Sequence, residues 1–196
     1  MNTETSMLDN GYDLRASLGL ALVALLMMGL LYSLAGAGLG RVLFPLQATG
    51  SIVERDGHAV GSSLVAQPFA DARYFQPRPS AANYDPMAAA GSNQARSNPE
   101  LQKRIADAMT AVARRDGIAA ADVPGELATQ SGSGLDPDLS PAGAQVQVAR
   151  VAAARGLSPD VVARLVAGHT RSRQFGLLGE PRINVLELNL ALDASR

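Results

Sequence analysis

The chain opens on one long apolar stretch and then changes character. Between Arg15 and Arg41 no residue is charged, and the centre from Leu18 to Leu31 is built from Leu, Ala, Val and Met with two glycines. A helix rises about 1.5 Å per residue, so roughly 20 such residues cross the hydrocarbon core of a bilayer. The pattern predicts a transmembrane helix over 16–40, preceded by a short tail, 1–15. The run is apolar on every side, which suits a span better than a core helix of one small domain. Tyr32 suits a membrane interface. Gly36, Gly38 and Gly40 loosen the exit end and let a neighbouring helix approach. Ala35-Gly36-Ala37 also resembles a signal-peptide cleavage site, but the length of the run and the acidic leader (Glu4, Asp9, Asp13) favour a retained anchor. Arg15 before the run and Arg41 and Arg55 after it leave orientation open under the positive-inside rule.

Beyond the span the pattern breaks into short elements. Phe44-Pro45 closes the span region, 41–51 reads as a linker, and 52–196 forms one soluble domain. Gly61 to Gln67 and Ala72 to Phe75 are expected as short strands. Arg78 to Ser97, rich in Pro, Ser, Asn, Ala and Gly, is a loop that Tyr74, Phe75 and Tyr84 would dock against the body. Asn98-Pro99-Glu100 carries an N-cap, a first-turn proline and an early acid. Leu101, Ile105, Met109 and Val112 follow at helical spacing, and Gly117 stops the run. Ser140-Pro141 starts a second helix ending at Gly156, with Val148, Val151 and Ala152 on one side. Ser158-Pro159-Asp160 starts a third, ending at Gly168. From Pro181 to Asp193 two readings stand: Leu186, Leu188, Leu190 and Leu192 alternate as in a strand, while Asn184 and Glu187 match a helix capping box. The expected class is α+β: one transmembrane helix, then one mixed α/β domain.

Composition removes several chemistries. The formal net charge of −1 over 196 residues argues against nucleic-acid binding. Without cysteine there is no disulfide, thiolate metal site or thiol nucleophile. His58 and His169 are the only histidines and stand far apart, so no metal site is expected. Lys103 is the only lysine and follows no glycine-rich turn, so there is no P-loop. The Asp-Lys-Thr-Gly phosphorylation site, a Gly-x-Ser-x-Gly elbow and a Thr-Val-Gly-Tyr-Gly filter are all missing. No catalytic residue is expected.

Four segments carry candidate function. Ser131, Gly132, Ser133, Gly134, Leu135, Asp136 and Pro137 form a glycine-rich loop, suited to close backbone contact, to an anion cradle, or to feeding the helix at Ser140. Tyr74 to Ser80 joins aromatics, prolines and Arg78, the residue types of a docking hot spot or of a loop capping the core. Gly91-Ser92-Asn93 and Ser97-Asn98-Pro99 suit turns and caps, or ion binding through carbonyls. Arg150 and Arg155 lie toward a helix C-terminus, where the macrodipole favours them. Candidate interface residues are therefore Tyr74, Phe75, Arg78, Ser80, Asn93, Asn98 and Arg150. The loop from Ser131 to Pro137 is the candidate docking or nucleotide-proximal segment.

Taken together, these segments resemble the C subunit of the Kdp potassium-transporting ATPase. The resemblance rests on 61–67, 74–81, 91–93 with 97–99, 131–137, 147–152 and 179–189, in family order after one N-terminal span. Asp138 stands where the family often has histidine, and Ala88-Ala89-Ala90 replaces a Ser-Gly pattern. The resemblance implies a non-catalytic accessory subunit of a high-affinity, ATP-driven potassium importer. Its implied partners are a channel-like potassium-binding subunit, a P-type ATPase subunit, a small single-span subunit and the lipid bilayer. It implies no cofactor of its own, ATP being met only through the pump subunit, whose ATP affinity a catalytic chaperone would raise. It implies an inner-membrane protein with its N-terminus in the cytoplasm and its domain outside. The competing readings are a regulatory nucleotide-binding module using Ser131 to Gly134 and an anchored extracytoplasmic hydrolase.

Overall fold

The structure is a computed structural model that describes residues 6–195, with side chains from Asp13 onward. Glu4 lies outside the described residues, as does the side chain of Asp9. The chain divides into two compact units, the first ending at Ser51 and the second beginning at Ile52.

The first unit is a continuous helical rod. Helix α1 (Ser6–Ala24) passes through a π-helical stretch, Leu25–Leu31, into α2 (Tyr32–Leu43). The helix thus begins well before Arg15 and runs past Arg41. From Asp13 to Leu43 it is long and apolar enough to cross a membrane, and the side chains from Asp13 to Leu39 are all exposed. It stops at Phe44, whose φ of −137° and ψ of 62° lie outside the helical region. Pro45 forces this, because its ring crowds the preceding residue out of the α conformation. One helical turn follows, α3 (Pro45–Ala48).

The second unit begins with a hairpin, β1 (Ile52–Arg55) and β2 (His58–Ser62), turned by Asp56-Gly57 with φ of 52° and 76°. Asp-Gly suits this two-residue turn because both positions need positive φ. The helices follow: α4 (Pro99–Asp116), the short α5 (Gly125–Ala128), α6 (Pro141–Gln145), α7 (Val148–Arg155), α8 (Pro159–Gly168) and α9 (Val185–Ala194). Two-residue strands β3 (Asp138–Leu139) and β4 (Ile183–Asn184) pair antiparallel and join the loop after 131 to the start of α9. The class is α+β, as the sequence indicates.

The helix signals act as read. Asn98 accepts from the Glu100 N–H, Ser140 from Gly143, Ser158 from Val161 and Asn184 from Glu187, while Gly117 and Gly156 close α4 and α7 at φ of 69° and 66°. Each cap satisfies a helix-end N–H, contributing about 1 kcal/mol. The tail is therefore a helix. Glu187 does not return to Asn184, however; its carboxylate pairs with Arg171 at 2.7 Å.

Two expectations fail. The segment from Ser140 to Gly156 is not one helix: it breaks at Val146–Gln147, where the Gln147 side chain, not its backbone, donates to the Gly143 carbonyl at 3.1 Å. The predicted strands are not strands either. Only Gly61 and Ser62 of the first lie in β2, and Ala72 to Phe75 joins no sheet, because the Asn189 amide takes the Phe75 backbone and Arg150 takes the Ala72 and Tyr74 carbonyls in place of a neighbouring strand.

The core gathers Phe75, Val112, Leu127, Leu139, Val148, Val151, Val162, Val166, Ile183, Leu188 and Leu192. Phe75 is fully buried, which stabilises the fold by about 1.5–3 kcal/mol.

Candidate docking face

The site is built outward from an extended segment clamped to the helices. The Asn189 carboxamide accepts from the Phe75 N–H at 2.8 Å and donates to the Phe75 carbonyl at 2.9 Å. Gln147 repeats the device one residue on, accepting from Gln76 N at 2.9 Å and donating to Gln76 O at 3.0 Å. Each amide replaces both hydrogen bonds that a sheet would have supplied.

Arginines complete the clamp. Arg150 binds Asp116 at 2.6 Å, the carbonyls of Ala72 and Tyr74 at 2.6 and 3.0 Å, and Gln147 Oε1 at 2.7 Å. Asp116 is fully buried and also meets Arg115, which reaches Gln76. Arg155 binds the Arg73 carbonyl at 2.7 Å and Asp193 at 2.8 Å, with its guanidinium 4.9 Å from the Tyr74 ring centre. Arg150 thus acts as a fork tying a loop to α7, a stronger role than complementing the macrodipole. Burial alone would raise the Asp193 carboxyl, but hydrogen bonds from Arg155, Arg55 and Tyr74 together hold it below the usual aspartate range.

This clamp fixes where the loop after Phe75 meets the loop from Ser131 to Pro137. Ser131 N donates to the Pro79 carbonyl at 3.2 Å, and Ser80 Oγ donates to the Gly134 carbonyl at 2.6 Å. Arg78 pairs with Asp136 at 3.0 Å. Leu135 O accepts from Ala66 N, and Pro137 O from Val185 N. Gly134 has φ of 72°, and a Cβ there would stand 2.8 Å from the Ala90 carbonyl and 2.9 Å from the Ala82 methyl. A Cβ on Gly91 would stand 2.7 Å from the Gly132 carbonyl. Glycine is required at both by close backbone approach. The backbone approached belongs to this same chain: loops 82–91 and 131–134 lock together. Gly132 itself has no positive φ, and a Cβ there would meet nothing within 4 Å.

The candidate residues therefore separate. Phe75 is buried, and Tyr74, Arg78, Ser80 and Arg150 hold their own loop. Asn98 caps α4, and Ser131 and Gly134 are buried. Gly132, Ser133 and Asn93 remain exposed, and the same locked pair of loops also exposes Met87, at 92%. The sequence reading missed Asp116, Gln147 and Asn189. Signals existed: Asp116 places an acid in the last turn of a helix, against the macrodipole, and Gln147 and Asn189 interrupt apolar helix faces.

Beside the clamp lies a cleft of about 370 Å³, lined by Phe69, Pro77, Pro79, Tyr84, Val112 and Arg115. Its walls are mainly apolar, Arg115 is already bonded, and burial raises the Tyr84 hydroxyl pKa. A second hollow holds Glu126, Asp136, Asp138, Glu180 and Arg182. Burial raises the Asp138 carboxyl against the opposing pull of Arg182, 3.2 Å away. Among the described residues no three His, Cys, Asp or Glu side chains gather to hold a metal.

A family model described as KdpC, the K+-transporting ATPase c chain, matches residues 14–194. The potassium-transporting ATPase KdpC subunit of Xanthomonas campestris pv. campestris (strain B100) is 66% identical over 193 residues, covering 98% of this chain and 92% of that protein. The KdpC subunit of Citrifermentans bemidjiense is 49% identical over 185 residues, covering 92% and 96% respectively. That of Geobacter metallireducens is 45% identical over 185 residues, covering 92% and 97%. The chain therefore belongs to the KdpC family, the c chain of the K+-transporting ATPase.

Proposed function

We propose that this chain is the non-catalytic, membrane-anchored assembly subunit of its potassium-transporting ATPase, joining the channel-like subunit to the P-type subunit. The observation that carries the reading is the lock between loops 82–91 and 131–134. It braces the two loops that expose Met87, Gly132 and Ser133, with exposed Asn93 just beyond them, and a braced docking face loses little ordering entropy on binding. The same geometry disfavours a phosphate at Ser131 to Gly134. Arg78, the guanidinium that reaches this loop, is neutralised by Asp136, and the Ser131, Gly134 and Leu135 amides already donate within the chain. ATP belongs to the pump partner in this reading. The apolar helix anchors the chain with its N-terminus in the cytoplasm and its domain outside.

The test is Met87→Asp combined with Ser133→Arg in the intact complex. Recovery of assembled complex should fall, while whatever assembles keeps normal ATP affinity. Full assembly with a tenfold weaker ATP affinity, about 1.4 kcal/mol, would defeat docking and support the nucleotide reading. Protease added to intact spheroplasts should digest the domain; protection would reverse the orientation.

A further inference from the structure

A projecting hairpin between α8 and α9 has no role in the docking face. Arg171 and Arg182 pair across its base, with N–H···O distances of 2.8 and 3.1 Å, and Gln174 pairs with Leu178 near its tip. The turn is Gln174-Phe175-Gly176-Leu177, closed by the Leu177 N–H donating to the Gln174 carbonyl at 3.1 Å. Phe175 and Gly176 have φ of 53° and 75°, the pattern of a turn that favours Asn-Gly. A bulky aromatic is a poor choice there, and its own fold does not cover it. Phe175 is 92% exposed, Leu177 80% and Leu178 61%. Local preference and burial both argue against this residue, which directs attention to something outside the chain.

The end of the domain from which the hairpin rises is the end that receives the anchor. Ile52, the first residue of β1, pairs with Ser62, and the next carbonyl, Ser63 O, accepts from Asn184 at 2.8 Å. Asn184 lies two positions beyond Arg182 and opens α9. Arg55, at the far end of β1, reaches Asp193 near the other end of α9. Strand β1 and α9 therefore run side by side, with Ile52 and the hairpin base at the same end. Residues 45–51, which join the apolar helix to β1, extend at most about 25 Å. Ile52 and Leu64, at this same end, are exposed apolar residues.

We propose that the Phe175-Gly176-Leu177-Leu178 tip dips into the bilayer interface as a second, shallow membrane contact. This inference rests on the apolar helix being the anchor. Strands rise about 3.3 Å per residue, so Phe175 reaches roughly 7 Å beyond Arg173, matching the roughly 5–10 Å depth of interfacial apolar groups. Each hairpin arginine already has a carboxylate partner, Arg171 with Glu187, Arg173 with Glu180 and Arg182 with Asp138, so the contact rests on the apolar tip and not on charge. The chain then has two membrane contacts, and the tip limits rotation of the domain about its tether.

The chain contains no tryptophan, so single insertions report cleanly. The full chain carrying Phe175→Trp is reconstituted in phosphatidylethanolamine–phosphatidylglycerol vesicles with acyl chains brominated near the headgroup or near the terminus. Met87→Trp and Leu30→Trp serve as references on the docking face and in the apolar helix. The proposal expects blue-shifted, bromine-quenched emission at position 175, stronger with shallow than with deep bromine, quenching at 30, and none at 87. Blue-shifted emission at 175 without quenching would overturn it in favour of a contact with another copy of this chain. Unshifted, unquenched emission at 175 with quenching at 30 would overturn it and leave the anchor standing. Loss of quenching at 30 as well would overturn both.

Discussion

The soluble domain has two arginine-rich regions that use the same side chain in opposite ways. In the clamp, Arg150 is 9% exposed and its Asp116 partner fully buried, and the fork serves four acceptors at once. On the hairpin, Arg173 and Glu180 pair at 2.7 Å but remain 45% and 78% exposed. Distance does not separate the two pairs; solvent does. A charge removed from water and left unpaired is costly, whereas an exposed pair exchanges protein contacts for hydration at little net gain. The clamp therefore positions the loops, whereas the Arg173–Glu180 pair stays in solvent and contributes little.

The sharpest break of this contrast is Arg150→Met. It would leave Asp116 buried with Arg115 alone and two carbonyls unpaired, so we expect a loss of roughly 3–5 kcal/mol, read as a lower urea midpoint of the detergent-solubilised chain. Arg150→Lys should recover only part of this, because a point charge cannot serve the fork's acceptors together. Next, Gly134→Val must adopt a left-handed backbone against Ala90 and Ala82, and we expect roughly 2–4 kcal/mol of destabilisation. Gly132→Val, without neighbour or positive φ, should stay within about 0.5 kcal/mol. Equal effects at the two glycines would dissolve the lock between the loops.

A smaller effect lies on the acid side. Asp193 is held below its ordinary value by Arg155, Arg55 and Tyr74, so its contribution is fully present above the unfolded aspartate pKa of about 4 and is lost as pH falls through the lower folded value. Asp193→Asn should flatten the pH dependence of the urea midpoint below about pH 4, at the cost of a lower midpoint at neutral pH. The smallest effect is Arg173→Ala, at most about 0.5 kcal/mol and weaker still in high salt. A loss comparable to that of Arg150→Met would show that the two regions are alike after all.

Several local signals were read correctly because the partner lay within a turn, although the Asp56-Gly57 turn and the break at Gln147 were not. Asn98, Ser140, Ser158 and Asn184 cap helices because their acceptors meet N–H groups two or three residues on. Asp56-Gly57 was an equally readable hairpin signal beside the misplaced strand at Gly61 to Gln67. The two candidate loops were legible as separate segments; that the loop from Ser131 to Pro137 meets the loop after Phe75 was not. The reason is that the close approaches of Gly91 to Gly132 and of Gly134 to Ala90 span long stretches of chain.

The sequence by itself determined the apolar run, the capped helix starts at Pro99, Pro141 and Pro159, the α+β class and the family. Each rests on composition or on hydrogen bonds between near neighbours, which the order of residues specifies directly. Only the tertiary structure decided that Ala72 to Phe75 is no strand, that Gln147 breaks a helix, and that Arg150 is a clamp. Asn189 and Phe75 are separated by 114 positions, and no local pattern states which distant amide will satisfy a given backbone group. That choice is made by burial, since water is excluded there and each polar group must find whatever partner the packed core brings to it.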